Sequence, residues 1–403
     1  MRRTLVILAL CIAPIAAQSQ VKEPVKLGLI DIYSGGFAFI ADSIRTGFQI
    51  AVDEANAAGG LNGRQFQLVT ADMGGSVEKA VTEGRRMILE EKIKFVTVGI
   101  HSGAAVAVGN LGKEYKVLIN GGFATTKRLT GEAGHDYVAR ANLSTVEIGR
   151  VMAEHLKSRP DIKRVAVIAP DYEYGQHFMA DFVAGLKVAR PDITVVRQEL
   201  HKLGATDFGP HVTALQAQPV DLVVGGMFGA DLVNFLRSAK DFGLFSDKTQ
   251  FFTHGLDLAK MGALKDSLPP NTMGTVWYPF YAIDSAKSKA FAAEIEKRMK
   301  TYPTGSTAVG YVAGKMLVEG IRKAGSDDVD RVRKVLGTVQ FEGPTGLTKV
   351  RACDHMAMYN FYVGNVKRDP GLPDGIGMGD VKAINTETVA RSCAEVMKAR
   401  AGG

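Results

Sequence analysis

The feature that most constrains the fold is a regular alternation of short apolar segments with longer amphipathic ones, from Val25 to about Ala324. The short segments are typical of buried strands, and the longer ones have the apolar spacing of helices. This β-α-β order predicts parallel sheets with helices on both faces. The predicted strands are Lys26–Ile32, Gln65–Ala71, Lys94–Gly99, Val117–Asn120, Arg164–Ala169, Thr194–Leu200, Leu222–Gly225 and Gln250–Thr253. The predicted helices are Phe39–Ala57, Val77–Glu91, Ser102–Tyr115, Ser144–Lys157, Gly175–Ala189, Phe208–Ala217 and Gly229–Phe242.

The alternation is interrupted at two places. It breaks near Ala141–Ser144 and restarts with a helix, and it stops near Pro269-Pro270-Asn271. These strands could form one wide sheet or two smaller ones. A chain of 403 residues is long enough for two domains of about 100–200 residues each. The interruptions favour two α/β lobes joined by several crossings of the chain.

The N-terminus has the pattern of a secretory signal peptide. Arg2 and Arg3 precede an apolar run from Leu5 to Ile15, and the small residues Ala16-Ala17-Gln18-Ser19 follow it. We predict a signal peptide over residues 1–19, with cleavage after Ser19 and cleavage after Ala17 as the alternative. A membrane anchor is disfavoured because the apolar run is shorter than the ~20 residues that span a bilayer. The predicted location of the mature protein is the periplasm.

The distribution of charge and the cysteine content further restrict what kind of protein this is. Removal of the two N-terminal arginines lowers the net charge from +7 to +5, and the remaining basic residues alternate with acidic ones. A nucleic-acid-binding protein would concentrate its basic residues on one face, so we predict no nucleic-acid partner.

Removal of Cys11 with the signal peptide leaves two cysteines, Cys353 and Cys393. An even pair in an oxidising compartment predicts a disulfide, with two buried free thiols as the alternative.

Motifs for nucleotide binding and catalysis are absent from the sequence. The first strand leads to Gly35-Gly36 without a G-x-G-x-x-G fingerprint, and no glycine-lysine pair is followed by Ser or Thr as in a P-loop. The run Gly99-Ile100-His101-Ser102-Gly103 does not match a G-x-S-x-G elbow. Cys353-Asp354-His355 lacks the paired spacing of zinc sites. We predict no catalytic residue, no metal and no cofactor.

Polar and glycine-rich loops follow several strands, at the sheet edge where open α/β proteins bind ligands. Ser102 opens a predicted helix, whose first N–H groups have no partner within the helix and attract an anion. A hydroxyl there could donate to a carboxylate. The alternative is that Ser102 only caps its own helix.

Four stretches are similar to the leucine/isoleucine/valine-binding-protein family. They are Tyr33-Ser34-Gly35, Asp53-Glu54-Ala55-Asn56-Ala57-Ala58-Gly59-Gly60-Leu61-Asn62-Gly63-Arg64, Asp171-Tyr172-Glu173-Tyr174-Gly175 and Phe341-x-Gly343-Pro344-Thr345-Gly346. The family consists of periplasmic solute receptors of ABC importers with the type I periplasmic binding protein fold. The resemblance extends from about Val25 to Tyr362.

This resemblance implies two Rossmann-like α/β lobes joined by three hinge crossings. It places residues 25–142 plus 276–342 in lobe 1, and residues 143–275 plus 343–400 in lobe 2. In the family, the lobes close over a small solute, and the closed receptor docks on a membrane permease. We therefore expect a monomeric binding protein, not an enzyme, with a small carboxylate or amino acid and a permease as its partners.

The resemblance also implies a set of ligand-binding residues. Ser102 and the backbone of Phe123–Thr125 correspond to the elements that bind the ligand carboxylate in lobe 1. Tyr174 corresponds to the aromatic residue of lobe 2 that covers the ligand, and Met227 or Phe228 to another contact of lobe 2 that is usually aromatic. The full predicted set is Tyr33, Ser102, Phe123, Thr125, Tyr174, Phe228, His254 and Asp257.

The sequence departs from the family pattern after the strand Gln250–Thr253. Members that bind amino acids have a glutamate there for the ligand ammonium, whereas this chain has His254, and Asp257 comes slightly late. A buried ammonium without a carboxylate is costly. Together with the aromatic residues, this predicts an aromatic or other non-amino carboxylic acid as the ligand, since some relatives are similar to aromatic-acid receptors. A branched-chain or other aliphatic amino acid is the alternative ligand. A ligand-sensing ectodomain and a secreted α/β enzyme are the alternatives of other classes.

Overall fold

Two separate sheets form the centres of two α/β units. The computed structural model describes residues 22–256, 261–262 and 264–402. The predicted signal peptide, residues 1–19, and the predicted ligand residue Asp257 lie outside the described residues. We call the units built on the first and second sheets lobe 1 and lobe 2.

The sheet of lobe 1 has five parallel strands in the order β2-β1-β3-β4-β5. Its strands are β1 (Val25–Asp31), β2 (Phe66–Asp72), β3 (Phe95–Val98), β4 (Leu118–Gly121) and β5 (Val138–Arg140). The first four agree with the predicted strands to within about one residue. The sequence analysis missed β5, because three residues are too few to reveal an alternation.

The sheet of lobe 2 is mixed and has the order β15-β14-β10-β9-β8-β6-β7. Its first strands are parallel: β6 (Arg164–Pro170), β7 (Thr194–His201), β8 (Leu222–Gly225), β9 (Gln250–Thr253) and β10 (Met273–Val276). Two antiparallel strands extend it, β14 (Asn360–Arg368) and β15 (Ile376–Asn385). Between them in sequence, β11 (Gln340–Gly343), β12 (Gly346–Val350) and β13 (Ala357–Met358) form a small antiparallel sheet.

Helices cover the faces of both sheets. They are α1 (Ala38–Ala57), α2 (Val77–Leu89), α3 (Ser102–Tyr115), α4 (Thr145–His155), α5 (Glu173–Ala189), α6 (Gly209–Gln216), α7 (Gly229–Asp241), α8 (Ala286–Met299), α9 (Gly305–Ala324), α10 (Val329–Leu336) and α11 (Cys393–Ala401). Although α9 follows the strands of lobe 2 in sequence, it packs along α1 of lobe 1. Gly47 permits this close approach, since a Cβ there would lie 1.9 Å from the carbonyl oxygen of Thr307.

Two predicted helix boundaries are confirmed. The side chains of Ser144 and Glu147 form the capping box that begins α4. After α1, Gly59 and Gly60 both have positive φ, which terminates the helix. Asn62 and the glycine after it also have positive φ, as a tight two-residue turn requires.

Within the described residues, the chain passes between the lobes three times. The crossings lie between β5 and α4, between β10 and α8, and between β12 and β14. Asn142, Trp277 and Tyr359 lie on the first, second and third crossing. The predicted disulfide between Cys353 and Cys393 is present and attaches α11 near the third crossing. No helix of the described residues has the length and apolar character needed to cross a membrane.

Candidate ligand-binding site

Side chains and backbone from both lobes line a cavity of about 40 Å³. Each lobe contributes residues at the carboxyl ends of its strands and at the beginnings of its helices. The lining residues are Ile40, Ile100, Phe123, Thr125, Tyr172, Tyr174, Phe228, His254, Gly255, Trp277, Gly305 and Ser306. Ligand sites usually measure about 300–1,000 Å³, so a solute needs the lobes to separate or the side chains to move before it can enter.

Five of the predicted site residues line this cavity: Phe123, Thr125, Tyr174, Phe228 and His254. Tyr33 and Ser102 are not among the lining residues. The hydroxyl of Tyr33 is buried without a hydrogen-bond partner in the described part of the chain, and its backbone N–H donates to Asp72 Oδ1 at 3.0 Å. Burial raises the pKa of the Tyr33 phenol, which keeps the hydroxyl protonated.

The structure contradicts the alternative interpretation of Ser102, in which it only caps its own helix, and the ligand-binding role stays a prediction. The hydroxyl of Ser102 accepts hydrogen bonds from the N–H groups of Thr125 and Thr126, both at 3.3 Å. It does not cap α3, because His101 is the N-cap residue and its Nδ1 accepts from the N–H of Ala104 at 3.1 Å. Ser102 therefore connects the start of α3 to the loop after β4.

Sequence reasoning missed seven of the lining residues. Tyr172 stands two residues before Tyr174 in the same recognised stretch, so the pattern of that stretch could have revealed it. Ile40 and Ile100 flank helix starts, where apolar residues carry no distinctive signal. The others are brought together only by tertiary packing: Gly255, Trp277, Gly305 and Ser306.

Aromatic rings form most of the cavity wall. The ring of Tyr174 contacts that of Phe228 edge to face, with centroids 5.7 Å apart. The indole of Trp277 lies 4.9 Å from the ring of Phe123 and 4.6 Å from the imidazole of His254. A wall of this kind suits a flat apolar ligand body, since aromatic pairs favour tilted and edge-to-face contacts at these distances.

Asn142 connects the cavity wall to all three crossings. Its Oδ1 accepts hydrogen bonds from Trp277 Nε1 at 2.7 Å, from the Tyr359 hydroxyl at 3.0 Å and from the N–H of Leu143 at 2.8 Å. Its Nδ2 donates to the carbonyl oxygen of Phe123 at 3.0 Å. Asn142 is fully buried, and two of its partners, Trp277 and Phe123, line the cavity.

Direct contacts across the cleft hold the lobes in a closed arrangement. The rings of Phe37 and Phe228 lie 5.6 Å apart. Thr126 Oγ1 donates to Glu173 Oε1 at 2.8 Å, and Arg128 Nη1 pairs with Glu173 Oε2 at 3.1 Å. The first residue of each pair follows a strand of lobe 1, and the second lies at a helix start in lobe 2.

The electrostatic character of the cavity comes from the backbone. Five helices begin within about two residues of a lining residue: α1, α3, α5, α7 and α9. Each helix start carries about half a positive charge, which favours an anion. None of the described lining residues is Asp, Glu, Lys or Arg. Burial raises the pKa of the Tyr172 and Tyr174 phenols, so that both hydroxyls stay protonated as hydrogen-bond donors.

No group of three or more His, Cys, Asp or Glu side chains in the described residues is arranged to hold a metal ion. The arrangement around the cavity suits non-covalent enclosure of a small molecule. Its parts are an apolar aromatic wall, protonated hydroxyls and converging helix starts.

Comparisons with known proteins agree with this geometry. The family model described as periplasmic binding protein matches residues 24–371. The "Leucine-, isoleucine-, valine-, threonine-, and alanine-binding protein" of Pseudomonas aeruginosa is 26% identical over 348 residues, which cover 84% of this chain and 88% of that protein.

Two solved structures show the same fold. The leucine-, isoleucine-, valine-, threonine-, and alanine-binding protein from Brucella ovis, in its closed conformation, has a TM-score of 0.82 and 23% identity. That match covers 92% of this chain and 98% of the other. A solute binding protein of an ABC transporter from R. palustris, in complex with benzoate, has a TM-score of 0.76 and 20% identity, with 90% and 95% of the two chains covered.

Proposed function

Since this chain belongs to the periplasmic binding protein family and is the substrate-binding component of an ABC transporter, we propose that its ligand is a small aromatic or other non-amino carboxylate. The family consists of solute-binding proteins, and this chain is not an enzyme. The observation that carries the proposal is an aromatic cavity at which five helices begin and whose described lining has no charged side chain.

The acid group fits the converging helix starts, and the apolar body fits the aromatic wall. A carboxylate at a helix start needs no fixed cation. An ammonium group would meet the same positive ends of the helices, without a carboxylate among the described lining residues to compensate it. The benzoate bound by the structural relative from R. palustris is an acid of the proposed class.

A branched-chain or other aliphatic amino acid is the second candidate. The curated relative from Pseudomonas aeruginosa, named for five amino acids, favours it. It would require an ammonium partner such as Asp257, which the sequence analysis singled out for that role.

We propose that the two lobes bind the solute by closing over it at the hinge. Lobe 1 (25–142 plus 276–342) and lobe 2 (143–275 plus 343–400) would separate to admit the solute and close through the contacts of Phe228 and Glu173. The closed receptor, which we propose is a monomer, would then deliver the solute to the membrane permease. The proposed location is the periplasm, reached by cleavage of residues 1–19.

A thermal-shift screen tests the ligand class. The mature protein would be heated with benzoate, 4-hydroxybenzoate, cinnamate, leucine, isoleucine or valine, with benzamide as an uncharged match for benzoate. At a concentration of 100 Kd, a ligand stabilises the folded state by about 2.7 kcal/mol, which raises the melting temperature. We expect a shift with at least one aromatic acid and none with benzamide. A shift with the amino acids alone would refute the proposed ligand class.

A further inference from the structure

We propose that an interlobe cluster of Thr126, Arg128, Glu173 and His177 sets the affinity for the ligand by stabilising the closed arrangement, without touching the ligand. None of the four is among the described residues that line the cavity. The inference rests on the proposed closure of the lobes over a solute, but it does not depend on the chemical class of that solute. Nothing in the sequence pattern or in the names of the relatives assigns a role to Arg128 or His177.

The interlobe cluster joins two short segments, one from each lobe. Thr126 and Arg128 come after β4 in lobe 1, whereas Glu173 and His177 lie one turn apart at the start of α5 in lobe 2. Thr126 Oγ1 donates to Glu173 Oε1 at 2.8 Å and lies 2.9 Å from His177 Nδ1. Arg128 Nη1 donates to both carboxylate oxygens of Glu173, at 3.3 Å and 3.1 Å. Two side chains of the opposite lobe therefore bind the Glu173 carboxylate.

The hydrogen bonds of the cluster are mutually consistent with one protonation state. The hydroxyl of Thr126 has a single proton, and the carboxylate of Glu173 receives it. His177 Nδ1 therefore carries a proton of its own and donates it to Thr126 Oγ1. Burial lowers the pKa of His177, so the neutral imidazole with its proton on Nδ1 meets this requirement near neutral pH. Thr126 thus connects two side chains of lobe 2 at once.

The place of the cluster in the chain connects it to the cavity. Thr125 lines the cavity and immediately precedes Thr126, and the lining residues Tyr172 and Tyr174 flank Glu173. Neighbouring residues of each segment therefore contact either the cavity or the opposite lobe. A solute that holds Thr125 and the two tyrosines in place also brings Thr126 and Glu173 within hydrogen-bond distance. Ligand binding and formation of the cluster should therefore stabilise each other.

A second ion pair between the lobes lies next to the cluster but is less accessible to water. Lys127 Nζ lies 2.6 Å from Asp181 Oδ1, whose side chain is 8% exposed, and Thr145 Oγ1 donates to Asp181 Oδ2 at 2.6 Å. In the cluster itself, the side chains of Arg128 and Glu173 are 44% and 20% exposed. Salt screens exposed charges more than buried ones, so ionic strength should act on ligand affinity mainly through the pair of Arg128 and Glu173.

Matched arginine variants test the inference by isothermal titration calorimetry with benzoate. Arg128 and Arg85 are similarly exposed and each pairs with a glutamate, but Arg85 pairs with Glu114 within lobe 1, at 3.0 Å. Titrations would be made at ionic strengths of about 0.01 M and about 0.15 M, between which the Debye length falls from about 30 Å to about 8 Å. We expect Arg128→Gln and Glu173→Gln to raise the Kd about 3- to 30-fold at the lower ionic strength and to weaken its salt dependence. Arg85→Gln should change it less than about twofold.

A double-mutant cycle separates an effect on closure from an effect on folding. If the two side chains act as a pair, the double variant Arg128→Gln/Glu173→Gln should raise the Kd less than the product of the two single effects. The melting temperature of ligand-free Arg128→Gln should match that of ligand-free Arg85→Gln. A lower melting temperature together with an unchanged Kd would assign the pair to the stability of the fold alone and overturn the inference.

The outcomes separate this inference from the proposed ligand class. Equal Kd values for the parent, Arg128→Gln and Arg85→Gln, or single effects that simply multiply in the double variant, would overturn it. If the parent binds leucine but not benzoate, the proposed ligand class is wrong, and the same titrations with leucine test the interlobe cluster. If the parent binds neither, small-angle X-ray scattering of the ligand-free proteins decides. A larger radius of gyration for Glu173→Gln than for the parent supports the inference, and equal radii overturn it.

Discussion

Replacement of Asn142 by leucine is expected to destabilise the protein far more than replacement of an ordinary buried polar residue. Asn142 is fully buried, and its Oδ1 accepts three hydrogen bonds, from Trp277, Tyr359 and Leu143. Leucine has a similar volume but no acceptor. The substitution would therefore leave the three donors unpaired in the interior.

The magnitude follows from the donors that lose their partner. Each buried donor left without an acceptor costs about 1–3 kcal/mol, so the free energy of unfolding should fall by at least about 3 kcal/mol in Asn142→Leu. The carbonyl oxygen of Phe123 also loses a donor. Because these partners lie on all three crossings and on the cavity wall, ligand affinity should fall together with stability.

The chain offers a matched control in Asn120, which is also fully buried. Its Nδ2 makes only long contacts of 3.5 Å to Thr97 and Ala313, and its Oδ1 has no partner in the described residues. Asn120→Leu should therefore cost little, because it removes an unsatisfied acceptor. Urea unfolding followed by far-ultraviolet circular dichroism would give both values. Equal losses of stability in the two variants would refute the reasoning.

Three further expectations concern a buried acid, the aromatic wall and the disulfide. Burial raises the pKa of the Asp31 carboxyl to about 7, whereas its pKa in the unfolded chain is near 4. The stability that the protonated carboxyl contributes is complete below about pH 4 and is lost as the pH rises through 7, so Asp31→Asn should gain stability relative to the parent between about pH 4 and 7 and keep that gain at higher pH. A difference in melting temperature that is independent of pH would contradict this. Tyr174→Ala should weaken benzoate binding by ~1–3 kcal/mol and Tyr174→Phe by less, and unchanged affinity of the alanine variant in calorimetry would exclude this ring from the site. The disulfide between Cys353 and Cys393 closes a loop of 40 residues, so replacing both cysteines by alanine should cost about 4 kcal/mol in urea unfolding, whereas an unchanged midpoint would show that the link does not stabilise the fold.

Local sequence patterns were sufficient for most of the fold. The parallel strands β1 to β4 and β6 to β9 could be predicted because each is a short apolar run between helical segments. Strands β14 and β15 were missed, since exposed polar residues such as Lys367 and Asp380 interrupt their apolar pattern. The resemblance to a known family supplied the three crossings, which no local pattern specifies.

The site was predictable only in part, for a different physical reason. Phe123 stands in the loop after β4, where fold rules direct attention, whereas Tyr174, in the first turn of α5, was supplied by the family resemblance. Trp277 and Ser306 were not among the predicted site residues. Both reach the cavity only through the packing of α9 on α1 and the course of the second crossing, and these contacts join segments far apart along the chain.

Trp277 is the single tryptophan of the sequence, and it touches the cavity, the hinge and His254 at once. Intrinsic emission excited at the indole band therefore originates entirely from this one position. A solute that enters the cavity, or a hinge motion that exposes the ring to water, would change the emission wavelength and intensity without any attached dye. The intrinsic fluorescence of Trp277 thus reports whether the cavity is occupied. Stopped-flow fluorescence could use it to measure the rates at which the solute binds and dissociates.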